Sequence, residues 1–342
     1  MIQTLCRCIA VVLLSTVLPC GLRAATYFVS ITGNDRNPGT RAEPFQHLSK
    51  AASVTRAGDS VIVTAGRYGP EGVVTCGDGC DVERAPVVLN HSGTPSAPII
   101  FMAEQKWAVI LDCERKCDAY FDLYRSSYVI VQNFVITNGF KEGIHSNDDA
   151  HHITLRGNRI EYIANRPSYT RYGLDGMYAS PQCHDFLIEG NTFRNIGRTN
   201  GGSSLDHGLY IRGTGFKITN NVFYNLSRGW AIQLAKGAKQ ILIADNVFAL
   251  SGPERDGQIM LWNTNAALTI RDNIFYQPRN FAITRDASRI NQCVIENNFI
   301  YGAGGLISST DGCDLKNNQS GYNSRVRDLV EARLLFPADG RQ

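Results

Sequence analysis

The chain has 342 residues, 43% of them apolar and 19% charged, and a formal net charge of +3. That length supports one large core or two ordinary domains, and so small a positive excess gives no ground for expecting a nucleic-acid partner. Room is left only for a local basic patch.

Residues 1–24 read as an export signal. Arg7 supplies the positive start, Ile9 to Leu18 is apolar or small, and Ala24 and Ala25 follow where a peptidase would cut. The apolar run is short of the roughly 20 residues that a membrane helix needs. The remainder, 25–342, is expected to form one exported domain, secreted or periplasmic, monomeric and with no membrane attachment once the signal is gone. It holds seven cysteines: Cys76, Cys80, Cys113, Cys117, Cys183, Cys293 and Cys313. Two Cys-x3-Cys pairs are compatible with zinc, but export favours disulfides. An odd count implies at least one free thiol.

From Thr26 the mature chain opens with a strand, turns through Gly33 and Pro38, and then offers Phe45, Leu48, Ala51 and Ala52 as the apolar face of a short capping helix. The runs SVIVTAGRY and PIIFMAEQKWAVILD follow as strands. From residue 128 a short pattern returns repeatedly: YVIVQNFVI, HITLRGNRI, FLIEGNTF, FKITNNVF, ILIADNVF, LTIRDNIF, CVIENNFI and DLKNNQS. Its asparagines are Asn133, Asn158, Asn191, Asn221, Asn246, Asn273, Asn298 and Asn318, spaced 25, 33, 30, 25, 27, 25 and 20 residues apart. Stacked β-coils tolerate such variable spacing, because a loop can grow outward without disturbing the stack. Asn also tolerates the left-handed backbone of a sharp bend. A buried amide is costly alone, but amides stacked in register satisfy one another.

A second column runs GIHSND, GMYASP, GLYIRG, AIQLAK, QIMLWN, AITRDA and GLISST. Strand alternation points Ile144, Met177, Leu209, Ile232, Ile259, Ile283 and Leu306 inward. His145, Tyr178, Tyr210, Gln233, Met260, Thr284 and Ile307 then face outward. Arg285 would point inward, which suggests that its strand ends or twists there. The expectation is an all-β, single-stranded right-handed parallel β-helix, with three short strands per coil, an Asn ladder and an N-terminal capping helix. The coil pattern fades into an irregular tail at about 322–342.

The segment Thr26 to Tyr68, with YFVS-GNDRNPGT-PF-GDSVIVTAGRY, resembles the opening of secreted right-handed β-helix proteins of the pectate-lyase-like superfamily. That resemblance implies the fold over nearly the whole mature chain. It does not single out a reaction, since the superfamily includes lyases, hydrolases, epimerases and catalytically silent members.

The largest insertions, 161–175 and 194–207, are expected to wall a groove over three consecutive coils. The first coil offers Lys141, Glu142 and His145, the second Asp175 and Tyr178, the third Asp206, His207, Tyr210 and Arg212. A uronate C5 proton is weakly acidic. Elimination therefore needs a cation to neutralise the carboxylate, a base for the proton, and an acid for the leaving oxygen. Arg212 suits the carboxylate, His207 the base, and Tyr210 or Tyr178 the acid. Asp175 completes the catalytic set. Lys141, His145, Tyr178 and Asp206 would contact substrate, with Trp230 and Trp262 stacking on sugar rings. The string DHGLYIR, 206–212, resembles a strand of mannuronan C5-epimerases, a likeness that assigns Arg212 to the uronate; the Asp-Pro-His-Asp motif of those enzymes is absent. GLDG and DHG resemble polygalacturonase strings without the paired-aspartate coil, yet Asp175 with Asp206 or Glu142 could serve a glycosidase. Glu142, Asp148 and Asp149, with Asp175 near them, are candidate calcium ligands. His151 and His152 are expected to diverge as surface residues. The expected activity is a lyase on an anionic polysaccharide; the alternatives are a hydrolase or epimerase in the same groove, or a glycan-binding β-helix without catalysis.

Overall fold

The computed structural model describes residues 24–70, 85–165, 173–200, 205–226, 228–251, 256–262, 266–286 and 290–334. The proposed signal, Cys76, Cys80 and parts of both expected groove walls (166–172 and 201–204) lie outside the described residues.

The strands form three sheets of 11, 10 and 9 strands. Every pairing between them is parallel, and each strand joins its counterpart in the next coil. One coil shows the order. Sheet one contributes His151–Arg156, the Asn bend follows, and sheet two contributes Arg159–Glu161. After a loop of variable length, sheet three contributes Met177–Ala179 and a turn leads back to sheet one at Leu187–Glu189. The chain is thus a parallel β-helix with three short strands per coil.

Seven asparagines make the ladder: Asn158, Asn191, Asn221, Asn246, Asn273, Asn298 and Asn318. Each Oδ1 from Asn191 onward accepts the backbone N–H and the side-chain N–H of the preceding rung at 2.8–3.1 Å. Each Nδ2 also donates to a carbonyl of the preceding coil, as Asn221 does to Ile188 at 2.8 Å. From Asn158 to Asn298 the rungs are 1% exposed or less, so the mutual bonds there remove what would be a desolvation penalty of about 1–3 kcal/mol per orphan.

Two expectations about the ladder need correcting. The left-handed residue is the one before the ladder asparagine: Gly157 at φ 62°, Gly190 at 62°, Asn220 at 56°, Asp245 at 59° and Asp272 at 56°. Asn133, at φ 69°, occupies that bend position rather than a rung. Gln132 pairs with Arg156, so Phe134 falls in the rung slot, where its N–H donates to Asn158 Oδ1 at 3.1 Å. A residue type that suits both slots cannot reveal its slot from sequence.

Two residues beyond each rung the side chain turns inward. Phe193, Phe223, Phe248 and Phe275 stack with centroids 5.1, 5.0 and 4.9 Å apart, and all are fully buried. Burial of one such ring contributes roughly 2–3 kcal/mol. In sheet three the pairing Ile144↔Met177↔Leu209↔Ile232↔Ile259↔Ile283 matches the expected inward column. The last coil slips by one residue, since Ile283 pairs with Ile307 and not Leu306. The strand Phe281–Arg285 continues to its end with Arg285 buried, because the guanidinium donates to the carbonyls of Asp286 and Asp311.

Helix α1, Leu48–Val54, buries Leu48, Ala51 and Ala52. It packs on Val87–Leu89 and Thr26–Val29, the first strands of sheets three and one. Phe45 is buried too, but it lies before the helix and bridges to Val29. At the other end the expected irregular tail contains helix α2, Ser324–Leu334. Val326, Val330 and Leu334 repeat at helical spacing and meet Val247, Ala249, Tyr224, Ile274 and Tyr276 on the outside of sheet two. Disulfides close Cys113–Cys117 and, between neighbouring coils, Cys293–Cys313. Cys183 is a buried free thiol.

Candidate functional site

The outward row of sheet three begins one coil earlier than the sequence suggested. Asp122 pairs with His145, His145 with Tyr178, Tyr178 with Tyr210, and Tyr210 with Gln233. Strands that pair in parallel hold these side chains about 4.8 Å apart along the stack. The row is close-packed at its rings. His145 stacks on Tyr178 at 5.2 Å, Tyr178 on Tyr210 at 5.8 Å, Tyr210 on His207 at 5.8 Å, and His207 on Trp230 at 5.4 Å.

Arg212 stands two residues beyond Tyr210, so alternation returns it to the same outward face. Its guanidinium lies close enough to the Tyr178 hydroxyl on the preceding coil, and to Tyr210, to act on the charge of both. Burial pushes both phenols above their ordinary range, with Arg212 pulling the other way. At rest both tyrosines therefore keep their protons. They are proton donors beside a guanidinium.

Beneath this half-buried row lies a fully enclosed layer. Asp175 is fully buried and accepts the His207 N–H at 3.0 Å. Burial drives its carboxyl well above the usual range, the nearby Glu142 and Asp206 charges add to this, and the His207 bond and Arg198 oppose it. Asp206 is 0% exposed, as is the Arg198 that pairs with it. The Arg198 backbone N–H and Nε each meet Asp206 Oδ2, at 2.8 and 2.9 Å, and Nη2 meets Oδ1 at 2.5 Å. Asp206 also accepts the Leu174 N–H. These bonds tie the loop at 197–198 to the strand start at 206. Asp175 and Asp206, one of the two carboxylate pairs considered for a glycosidase, both face the interior.

His207 is 1% exposed, and its Nδ1 accepts the Trp230 N–H at 3.0 Å. A neutral imidazole with Nδ1 occupied in this way carries its proton on Nε2. In that tautomer the ring's free lone pair is the one already held by the Trp230 N–H. Gly208 follows because the coils touch: a Cβ there would meet the Ala231 carbonyl oxygen at 2.5 Å.

The remaining expected residues divide. His145 belongs to the row, with Glu142 Oε2 3.6 Å from its Nδ1 and only 12% of each side chain exposed. Lys141 is half-buried beside it and donates its backbone N–H to Asp118. Trp230 is 8% exposed and lines the layer behind His207; Trp262 is 45% exposed and presents its ring to solvent. Glu142, Asp148 and Asp149 do not converge: Glu142 faces His145, Asp148 pairs with Arg125, and Asp149 faces His184. Among the described residues the one group of three or more His, Cys, Asp or Glu ligand atoms lying mutually within 4.8 Å is His151, His152 and His184. The two adjacent histidines converge instead of diverging.

Sequence reasoning missed Asp122 and Arg198. Asp122 is 0% exposed, and neither carboxylate oxygen has a hydrogen-bond partner. Desolvation pushes its carboxyl up to about 7, with His145 lowering it and Glu142 raising it. The string FDLY gives it away only once the register with GIHS is known. Arg198 sits in a loop outside the repeat, where no pattern marks it.

The model for the Pel9A-like, right-handed β-helix region matches residues 27–230, and a general right-handed β-helix model matches 170–320. The chain is 25% identical over 148 residues to an uncharacterized protein, YwoF, of Bacillus subtilis; the match spans 40% of this chain and 28% of that protein's length. Among solved structures, an alginate lyase from Paenibacillus sp. aligns with a TM-score of 0.65 at 15% identity, covering 87% of this chain and 98% of that one. Pectate lyase Pel9A aligns with 0.56 at 13% identity, covering 89% and 78%. A xylose complex of XylC aligns with 0.61 at 12% identity, covering 86% and 69%. Likeness at such identities concerns the fold.

Proposed function

Since the chain belongs to the Pel9A-like right-handed β-helix family, within the pectate-lyase-like superfamily, we propose that it is an exported polysaccharide lyase acting on a uronate-containing chain along sheet three. The observation that carries this reading is the stacked pair Tyr178 and Tyr210 on adjacent coils, with the Arg212 guanidinium near both hydroxyls on the same outward face. That arrangement meets two of the three demands of β-elimination. Arg212 neutralises the uronate carboxylate and so acidifies the C5 proton. Tyr178 or Tyr210, protonated at rest, donates to the departing glycosidic oxygen.

The proton acceptor in this reading is His145, with Glu142 at its Nδ1, rather than His207. His207 supports the row from behind through its ring stack and its bond to the Trp230 backbone, and Asp175 holds His207 in place. Lys141 and Trp262 extend the substrate contacts on either side. An alginate lyase and a pectate lyase among the similar folds are in keeping with an anionic substrate. Two disulfides suit an oxidising compartment, and no helix among the described residues is long and apolar enough to cross a membrane.

The test is ultraviolet absorbance of the unsaturated uronate product when the purified chain meets a panel of polyuronates. A rise that falls by about 100-fold or more in Tyr178→Phe, Arg212→Ala and His145→Gln supports the assignment. New reducing ends without absorbance would make the protein a hydrolase, and binding without either product would make it a glycan-binding β-helix.

A further inference from the structure

Alternation along a strand should send His151 and His152 to opposite faces, but a repeated kink prevents it. His152 has φ 52°, and the equivalent residues of neighbouring coils are left-handed as well: Tyr128 at 53°, Asp185 at 56°, Gly215 at 75° and Gln240 at 56°. The pairing stays one to one across this position, as His151↔Ser127 and Ile153↔Val129 show, so the left-handed residue is a kink shared by successive strands, and it lets two successive side chains leave on the same side. The next residue then resumes inward packing, as Val129, Ile153, Phe186, Phe216 and Ile241 all do at 2% exposure or less.

The kink brings the ring nitrogens together. His151 Nδ1 and His152 Nδ1 are 2.8 Å apart. His184, on the following coil, bridges to His151 through the backbone, and the two rings stack 4.6 Å apart at 5°. Tyr128 stacks on His152 from the preceding coil at 4.6 Å. Two carboxylates attend the two ring nitrogens of His184: Asp185 Oδ2 lies 2.8 Å from Nδ1, and Asp149 Oδ1 lies 3.4 Å from Nε2. Whichever nitrogen faces an ion, a carboxylate can orient the ring from the other, as carboxylate–histidine pairs do in metal sites.

We propose that His151, His152 and His184 bind a divalent transition-metal ion of the imidazole-preferring class, for which Zn2+ is the probe. Nitrogens bound to one Zn2+ at about 2.0–2.1 Å lie on the order of 3 Å from each other, close to the separation of the two Nδ1 atoms here. Three imidazoles leave a fourth tetrahedral position for Asp149, Asp185 or water. Nitrogen donors favour zinc, nickel or copper over calcium, which takes oxygen ligands. The site lies across the turn at 148–150 from the His145 strand and does not depend on the reaction proposed for the groove. A bound ion would join two successive coils at that corner.

The experiment is calorimetric titration of Zn2+ into the full chain, purified without a polyhistidine tag and stripped with chelator. One ion per chain is expected, and His151→Gln and His184→Gln should each weaken binding by about tenfold or more. Zn2+ should raise the melting temperature of the parent chain and not that of either variant. Should either variant fail to fold by circular dichroism, His152→Gln supplies the same comparison at an exposed ring. The proposal is overturned by the absence of saturable one-to-one binding, by binding that persists unchanged in the variants, or by displacement of Zn2+ with equimolar Ca2+.

Discussion

Replacing Asn221 with Ala tests the ladder at its centre. The side chain makes four bonds: Oδ1 accepts from Asn191 N and Nδ2 at 2.9 and 3.1 Å, and Nδ2 donates to Ile188 O and Asn246 Oδ1 at 2.8 and 3.0 Å. Two losses are softened, since Asn191 Nδ2 keeps Leu155 O and Asn246 Oδ1 keeps the Asn221 N–H. The Asn191 N–H is stranded at a site that solvent does not reach. At about 1 kcal/mol per bond, with about 1–3 kcal/mol for the orphaned donor, the expected loss is roughly 3–5 kcal/mol. Urea unfolding followed by circular dichroism measures it, provided the slope matches the parent. Asn220→Gly is the control. Asn220 is exposed and left-handed, and glycine adopts that backbone freely, so the change should stay within about 0.5 kcal/mol. If Asn221→Ala cost less than about 1 kcal/mol, the buried amide bonds would not be what fixes the coil register.

Three further outcomes are expected. Asp122 has its folded carboxyl raised to about 7, so the folded state holds more protons than the unfolded state between that value and the ordinary aspartate range. Stability should therefore fall as pH rises from about 4 to about 7, by up to a few kcal/mol, and then level off. Asp122→Asn should melt higher than the parent at pH 8 and alike at pH 4; equal melting at both would refute the shift. Arg198→Met strands the buried Asp206 carboxylate and should cost roughly 3–5 kcal/mol in urea unfolding, whereas Arg198→Met with Asp206→Asn should recover part of it, because the amide removes the charge and its oxygen can still accept a backbone N–H from Leu174 or Arg198. The Cys293–Cys313 bridge closes a separation of 20 residues, so the double serine variant should lose about 3 kcal/mol, seen first as faster hydrogen exchange in the last coils.

The frame of the fold was legible because its parts repeat. Asparagine followed two residues later by Phe or Ile fixes the first-to-second-sheet corner, and the GIHS-type strings fix sheet three, down to the Ile144-to-Ile283 column. The errors have physical causes. Asn133 was placed in the ladder because asparagine serves equally at a bend and at a rung. The convergence of His151 and His152 is not legible, because the kink leaves no mark in residue type: its left-handed position is filled by Tyr128, His152, Asp185 and Gln240. The groove row was legible for His145, Tyr178, Tyr210 and Arg212, which alternate as strands must. The contact of His207 Nδ1 with the Trp230 backbone N–H on the next coil is not legible, because no sequence pattern names it. Arg198 and helix α2 lie where the repeat stops, and only tertiary contact reveals them.

The kink that opens the sheet-one strands from Tyr128 to Gly312 has a wider consequence. It gives those coils a corner with neighbouring side chains that the core never uses, repeated at a fixed rise like teeth on a rack. Residues there can change without repacking anything, so one scaffold can exchange whatever chemistry it displays along that edge while its interior stays the same.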